Sequence, residues 1–441
     1  MKILIKNGRL VDPASGLDQV GDLAITSGRI SAIGQPNADF AADRVIDATG
    51  KIVVPGLVDL AARLREPGHE HEGMLESELA AAAAGGVTSV VCLPDTDPTL
   101  DEPGLVEMLK LRARKLSRCR LFPLGALTRG LKGENLTEMA ELHEAGCVGY
   151  SQAEVPIKDT QVLQRALQYA ATFGYTVWLR PQDAWLGKGV AASGSVATRL
   201  GLSGVPVSAE TIAIHTIVEL VRATGARVHL CRISSAAGVE LVRQAKAQKL
   251  PITADVSINS LLLTDVDIGY FNPAMRVTPP LRQGRDRDAL QAGLLDGTLD
   301  ALVSDHNPVS EDEKTLPFGE AVPGATGLEL LLSLALKWAG ADQTDAPDAA
   351  KLRRALAAVT TGPVSVLGDA LGSLSSSAGR LVAGGVADVC VFDPAHRWQV
   401  LPDALVSQGK HTPFAFESTG FEMAGKVCLT LVAGQVAHEG A

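Results

Sequence analysis

The chain has 441 residues, 46% hydrophobic and 20% charged, with a formal net charge of −10 at neutral pH. That length supplies two or three domains at roughly 150 residues each, or one barrel of about 250 residues with a smaller companion. The acidic balance, without a basic stripe, argues against nucleic acid or an anionic membrane as partner and leaves small molecules and proteins.

Residues 1–55 alternate in a strand-like way (ILIKNGRLV, DLAITSGRISAIG, RVIDATGKIVV), with Gly, Asp and Pro turns between short runs. A small β-domain is expected there. The opening MKILIKNGRLVDPASG lacks the apolar stretch and cleavage site of a signal peptide, and no run of 18 uncharged apolar residues follows, so a cytoplasmic protein without a spanning helix is expected. From residue 56 to 371 the pattern changes. Short apolar runs (SVVCLP, RLFPLGAL, GCVGYS, TVWLRPQ, RVHLCRI, PITADV, DALVSD) alternate with helically periodic segments such as GLVEMLKLRARKL and ALQYAATF. Repeated βα units imply an α/β fold with a parallel sheet, and their number favours closure as a (β/α)8 TIM-type barrel. Residues 372–441 return to strands (GRLVAGGVADVCVFD, RWQVL, GKVCLTLVAGQVAHEG), so the β-sandwich domain is expected to draw on both ends of the chain. Cys92, Cys119, Cys147, Cys231, Cys390 and Cys428 show no CxxC spacing and fall mostly in apolar runs, as buried free thiols do.

The segment VIDATGKIVVPGLVDLAARLREPG (45–68) resembles the barrel entry of amidohydrolases. AAAAGGVTSVVCLPDTDP (81–98), RVTPPLR (276–282), VSDHNPVSEDEK (303–314), LPFGEAVPGATGLE (316–329) and GRLVAGGVADVCVFDP (379–394) resemble dihydroorotase blocks in order and spacing. The resemblance implies a metal-bearing barrel with a composite β-sandwich. It also shows where the chain departs from its relatives. Active dihydroorotases carry Asp-x-His-x-His on the first barrel strand, where side chains two apart face the same way and grip one zinc. Here the stretch is Asp59-Leu60-Ala61-Ala62-Arg63, and Arg63 puts a permanent cation where a metal would sit. A Ser-Asp-Asp-Gly-like turn becomes Ser151-Gln152-Ala153-Glu154, with Glu154 expected as a solvated loop residue. His-x-Glu-Asp becomes Arg180-Pro181-Gln182-Asp183. His-x-x-His-x-Ser becomes His229-Leu230-Cys231-Arg232-Ile233-Ser234, in which the surviving His229 precedes the ligand position. Of Thr-Asp-His-Ala-Pro-His, Asp305 and His306 remain and Val309 replaces the second histidine. The former ligand positions are therefore Ala61, Arg63, Arg180 and Arg232; no zinc and no catalytic residue are expected, Asp305 being vestigial.

The family's substrate arginine is present as Arg65, but two asparagines are Asp95 and Thr278, and Asp95 would repel a carboxylate substrate. Arginines at three former ligand positions require acids or a bound anion. Asp305, Asp183, Asp59 and Glu154 are the candidate acids for an internal ion-pair plug. The alternative is a repurposed anion site formed by Arg63, Arg65, Arg180, Arg232, Asp95 and Thr278. His69-Glu70-His71, which imitates a His-x-His pair, is expected in a solvated loop. Some bacterial dihydroorotase homologues are inactive and assemble with aspartate carbamoyltransferase, so the resemblance implies an oligomeric, non-catalytic assembly subunit in pyrimidine biosynthesis. An active amidohydrolase with an atypical site and a small-anion sensor are the rival expectations.

Overall fold

Residues 1–35, 39–341 and 348–440 are described by the computed structural model. Strand β1 (Lys2–Asp12) pairs antiparallel with β2 (Leu17–Thr26), and β2 pairs with β3 (Arg29–Gly34). On its other side β1 runs parallel to β4 (Arg44–Asp47) and then β5 (Ile52–Pro55). The alternation of these strands has a physical result: Ile3, Ile5, Leu23, Ile25 and Ile30 all point into one core.

The chain then enters β6 (Leu57–Ala62), whose residues are all buried, as expected of a strand covered on both faces. β7 (Val87–Cys92) and β8 (Arg120–Pro123) extend it into a three-stranded parallel sheet. A second parallel sheet of six strands contains β9 (Gly125–Ala126), β10 (Tyr150–Ser151), β11 (Thr176–Leu179), β14 (Arg227–Leu230), β15 (Ile252–Ser257) and β16 (Ala301–Val303). A separate pair, β12 (Ala191–Ala192) and β13 (Gly204–Val205), lies in the connection after β11. The two parallel sheets adjoin at both edges. At one, Leu124 donates to the Cys92 carbonyl at 2.9 Å and Val148 to the Pro123 carbonyl at 3.0 Å. At the other, Arg63 N–H donates to the His306 carbonyl at 2.8 Å and His306 N–H to the Ala61 carbonyl at 3.1 Å. In the helix Thr160–Phe173 the buried stripe is Leu163, Ala166, Leu167 and Ala170, at helical spacing.

Strands β17 (Val389–Gln399), β18 (Glu422–Val432) and β19 (Gln435–Glu439) close the chain by joining the first sheet: β17 pairs antiparallel with β5, so eight strands from both ends make one sheet. The stretch Ala349–Leu374 is long and apolar enough by composition to cross a membrane, but 56% of its most apolar window is buried in the fold. It consists of successive helices, Ala349–Ala358, Thr361–Leu367 and Gly368–Leu374, rather than one rod. All six cysteines are free.

Because the strands in each parallel sheet point the same way, their carboxyl ends and the loops that follow them share one rim. Arg63 follows β6, Glu154 β10, Arg180 β11, Arg232 β14 and Asp305 β16. Four non-glycine residues on this rim take left-handed backbone: Arg65 (φ 63°), Ala153 (φ 49°), Arg232 (φ 57°) and Asp305 (φ 50°). Such conformations disfavour side chains and persist where the surrounding structure holds them.

Candidate functional site

At the rim, one carboxylate gathers three guanidinium groups. Glu154 Oε1 accepts from Arg63 Nη2 at 2.8 Å and also from Arg232 Nη2, while Oε2 pairs with Arg180 Nε. Arg63 Nε donates to Asp95 Oδ2 at 2.7 Å, and Arg232 Nη1 to Asp305 Oδ1 at 2.9 Å and the Thr278 carbonyl at 3.3 Å. The expectation of a solvated Glu154 is corrected: only 31% of its side chain is exposed, and it forms the hub of the cluster. The left-handed turn at Ala153 precedes it in the chain, and three cations hold it there. Burial alone would push the Glu154 carboxyl up, but the charges of Arg180, Arg232 and Arg63 reverse this and hold it well below the usual range.

The three arginines are not equivalent. Burial disfavours the cation on Arg63, yet Asp95 and Glu154 together keep it firmly protonated; Arg232 is held likewise by Glu154 and Asp305. Arg180 has Glu154 as its ion-pair partner and Gln182 as an additional acceptor, and burial combined with the charges of Arg232 and Arg63 lowers its pKa. Asp305 is raised by burial despite its pairing with Arg232.

Two other expected counter-charges lie elsewhere. Asp183 caps its own turn, accepting from the N–H groups of Trp185 at 2.9 Å and Leu186 at 2.8 Å. Asp59 is fully buried and accepts from Ser304 N–H at 2.9 Å and Ser304 Oγ at 2.5 Å, with burial pushing its pKa up to about 6. Arg65 pairs with Glu72 at 2.6 Å and donates to the Pro308 carbonyl at 2.9 Å. Ala61, 7% exposed, offers no donor. His306 turns away from the rim: Nε2 meets Glu78 Oε2 at 2.8 Å, and Nδ1 accepts from Gly327 N–H at 3.2 Å. His71 and Glu70 are exposed and His69 half-buried, with the two imidazole centroids 6.2 Å apart.

Structural and catalytic zinc sites are built from imidazoles, thiolates and carboxylates. The rim cluster instead brings three cations to three carboxylates, Asp95, Glu154 and Asp305, each already engaged by guanidinium. That donor set does not fit a zinc ion. Deeper in, His229, Cys231 and Asp255 place ligand-type atoms within 4.8 Å of one another. His229 there engages both ring nitrogens, Nδ1 with Thr253 at 2.8 Å and Nε2 with Asp255 at 2.9 Å, while burial and the Asp255 charge push the Cys231 thiol up.

Sequence reasoning missed Glu72 as the partner of Arg65, and Arg276. Arg276 lines a cavity of about 370 Å³ with Arg63, Arg65, Arg180, Arg232 and Glu154. The chemical signal for Glu72 was present: a buried arginine needs an acid, and HEHEGMLESE supplies several close by.

A family model described as Dihydro-orotase-like matches residues 50–237. A Dihydroorotase-like protein of Pseudomonas aeruginosa is 42% identical over 441 residues, covering 100% of both chains. A Dihydroorotase of Geobacter sp. is 38% identical over 440 residues, again covering 100% of both. Among solved structures, the L-hydantoinase (dihydropyrimidinase) from Arthrobacter aurescens matches with a TM-score of 0.85 at 24% identity, covering 99% of this chain and 96% of that one. A D-hydantoinase matches with a TM-score of 0.80 at 21% identity, covering 99% and 95%. These two likenesses concern the fold; the full-length sequence relatives carry the assignment, and the chain belongs to the dihydroorotase-like family of the amidohydrolase superfamily.

Proposed function

We propose that this chain is a non-catalytic member of its family, a cytoplasmic assembly subunit for aspartate carbamoyltransferase in pyrimidine biosynthesis. The scaffold is read as one closed (β/α)8 barrel, its two parallel sheets meeting at the Cys92–Leu124 and Ala61–His306 edges. The observation that carries the reading is the Arg63–Arg180–Arg232 cluster on Glu154. It occupies the rim with cations and, among the described residues, no imidazole joins the cluster. Without a metal to polarise a carbonyl or ionise water, cyclic amide hydrolysis loses its main electrostatic assistance. Asp305 Oδ1 is paired with Arg232, and a carboxylate cannot supply the Lewis-acid chemistry of a metal.

A fold kept whole without that chemistry points to its surface as the working part; the partner's identity rests on family resemblance. A stable assembly buries more than about 1,000 Å² per interface. Co-expression with the transferase of the same organism should therefore give one large particle in size-exclusion chromatography. Separate elution at micromolar concentration, with the transferase fully active alone, would refute the reading.

An active cyclic amidohydrolase with an atypical site is the second reading. The name Dihydroorotase borne by the Geobacter relative favours it. Turnover of dihydroorotate or carbamoyl aspartate by metal-analysed protein would establish it.

A further inference from the structure

The rim cavity is lined by five arginines, and their counter-charges can be assigned one by one. Arg63 meets Asp95 and Glu154; Arg180 meets Glu154; Arg232 meets Glu154 and Asp305; Arg65 meets Glu72. Four carboxylates thus serve four guanidiniums. Arg276, in the connection after β15, has none within 4.0 Å among the described residues. Its Nη1 donates to the Val190 carbonyl at 3.1 Å, and its Nε is buried without a partner. The Nε of Arg232, whose side chain is 2% exposed, is likewise buried and unpartnered on the same cavity wall.

Lys314, 4% exposed, lies behind Arg276. Its Nζ donates to the Pro273 carbonyl at 3.2 Å and to the Arg276 carbonyl at 2.9 Å, tying down the backbone that carries the arginine. The cavity is open to solvent ions and, at about 370 Å³, is at the small end of the range for metabolite sites. An unpaired guanidinium in a partly desolvated wall is costly, and its planar fork matches the oxygens of a carboxylate or phosphate.

We propose that the cavity binds one small oxyanion, a carboxylate or phosphate group of a metabolite, with Arg276 as its principal charge partner and the Glu154 cluster as a fixed floor. The inference is separate from the choice of protein partner and rests only on the reading that no metal occupies the rim. Arg276 is the specific element: the other four guanidiniums are neutralised in place, so an incoming anion adds charge balance only there.

The test is isothermal titration calorimetry on the full-length chain after chelator treatment, titrated with inorganic phosphate and separately with succinate. One saturable site per chain is expected for at least one of the two, and the preferred ion identifies a phosphate or a carboxylate source. Arg276→Gln should weaken that binding at least ten-fold, and Arg276→Lys less. Arg243→Gln, which alters a surface pair with Glu240 and Asp296, should leave it unchanged. Circular dichroism of each variant checks the fold. No saturable uptake of either ion by folded wild-type protein, or uptake indifferent to Arg276→Gln, overturns the proposal. Zinc content measured before chelation, with a parallel titration of untreated protein, separates the two readings: zinc with anion uptake that vanishes on chelation defeats both. Zinc with uptake that survives chelation defeats only the metal-free reading.

Discussion

Arg63 Nη2 donates to Glu154 Oε1 at 2.8 Å, a link 91 residues long in sequence that joins the end of β6 to the loop after β10. It lies at the position where the sequence pattern of active relatives places the second histidine of the first strand. Protein prepared without a metal-binding tag should accordingly contain no stoichiometric zinc by elemental analysis; one or two ions per chain would contradict the argument from donor chemistry.

Glu154→Gln leaves three guanidiniums with their shared anion removed. Breaking a buried ion network from one side costs about 3–5 kcal/mol, and the 31% exposure of Glu154 places the expected loss near the lower end. Urea unfolding should show the midpoint falling with an unchanged slope. Because the carboxyl is held below its ordinary value of 4.5, its stabilisation is complete above that pH and is lost progressively in stronger acid. The gap between wild type and Glu154→Gln should therefore narrow as pH falls below about 4.

Restoring Ala61→His and Arg63→His together should not recover dihydroorotase activity in either direction. Gln152, Ala153, Arg180 and Arg232 still withhold ligands, and Glu154 still faces two arginines. Measurable turnover by the double variant would show that a smaller ligand set suffices.

Lys314 supplies a pH signature. Burial first, then the charge of Arg276, lowers its pKa from 10.5 to about 7, with Glu313 opposing and His411 nearby carrying a lowered pKa of its own. Between those two values the unfolded chain binds a proton that the folded chain does not, so this group makes stability rise with pH over that window. Wild type should gain stability relative to Lys314→Met between about pH 7 and 10.5, by a few kcal/mol at most, in parallel denaturant titrations. A difference independent of pH would mean that the amine is solvated.

The sequence exposed much of this arrangement because strand periodicity and the spacing of motifs are local signals. β6 could be placed from PGLVDL, and Arg63, Arg180 and Arg232 from their positions in known blocks. What it hid was pairing. Glu154 sits beside the family's ligand positions rather than on one, and its role depends on the turn at Ala153 and on arginines 78 residues or more away or on other strands. Asp59 and Asp183 looked equally placed to neutralise those arginines, yet backbone and hydroxyl donors at Ser304 and in the turn at Trp185 hold them locally. Arg276 stands in RVTPPLR with nothing local to mark it, since a lone arginine shows its lack of a partner only when its surroundings are folded.

The pairing of β5 with β17 bears on the order in which the molecule can be made. β5 leaves the ribosome roughly 330 residues before β17, which at about 5–20 residues per second is some 20–60 seconds. Throughout that interval the nascent amino-terminal strands present an open edge, with Val53 and Val54 awaiting Val391 and Cys390. The two parallel sheets must therefore be synthesised while the eight-stranded sheet is half-built, and chaperone dependence during translation should centre on the first 55 residues.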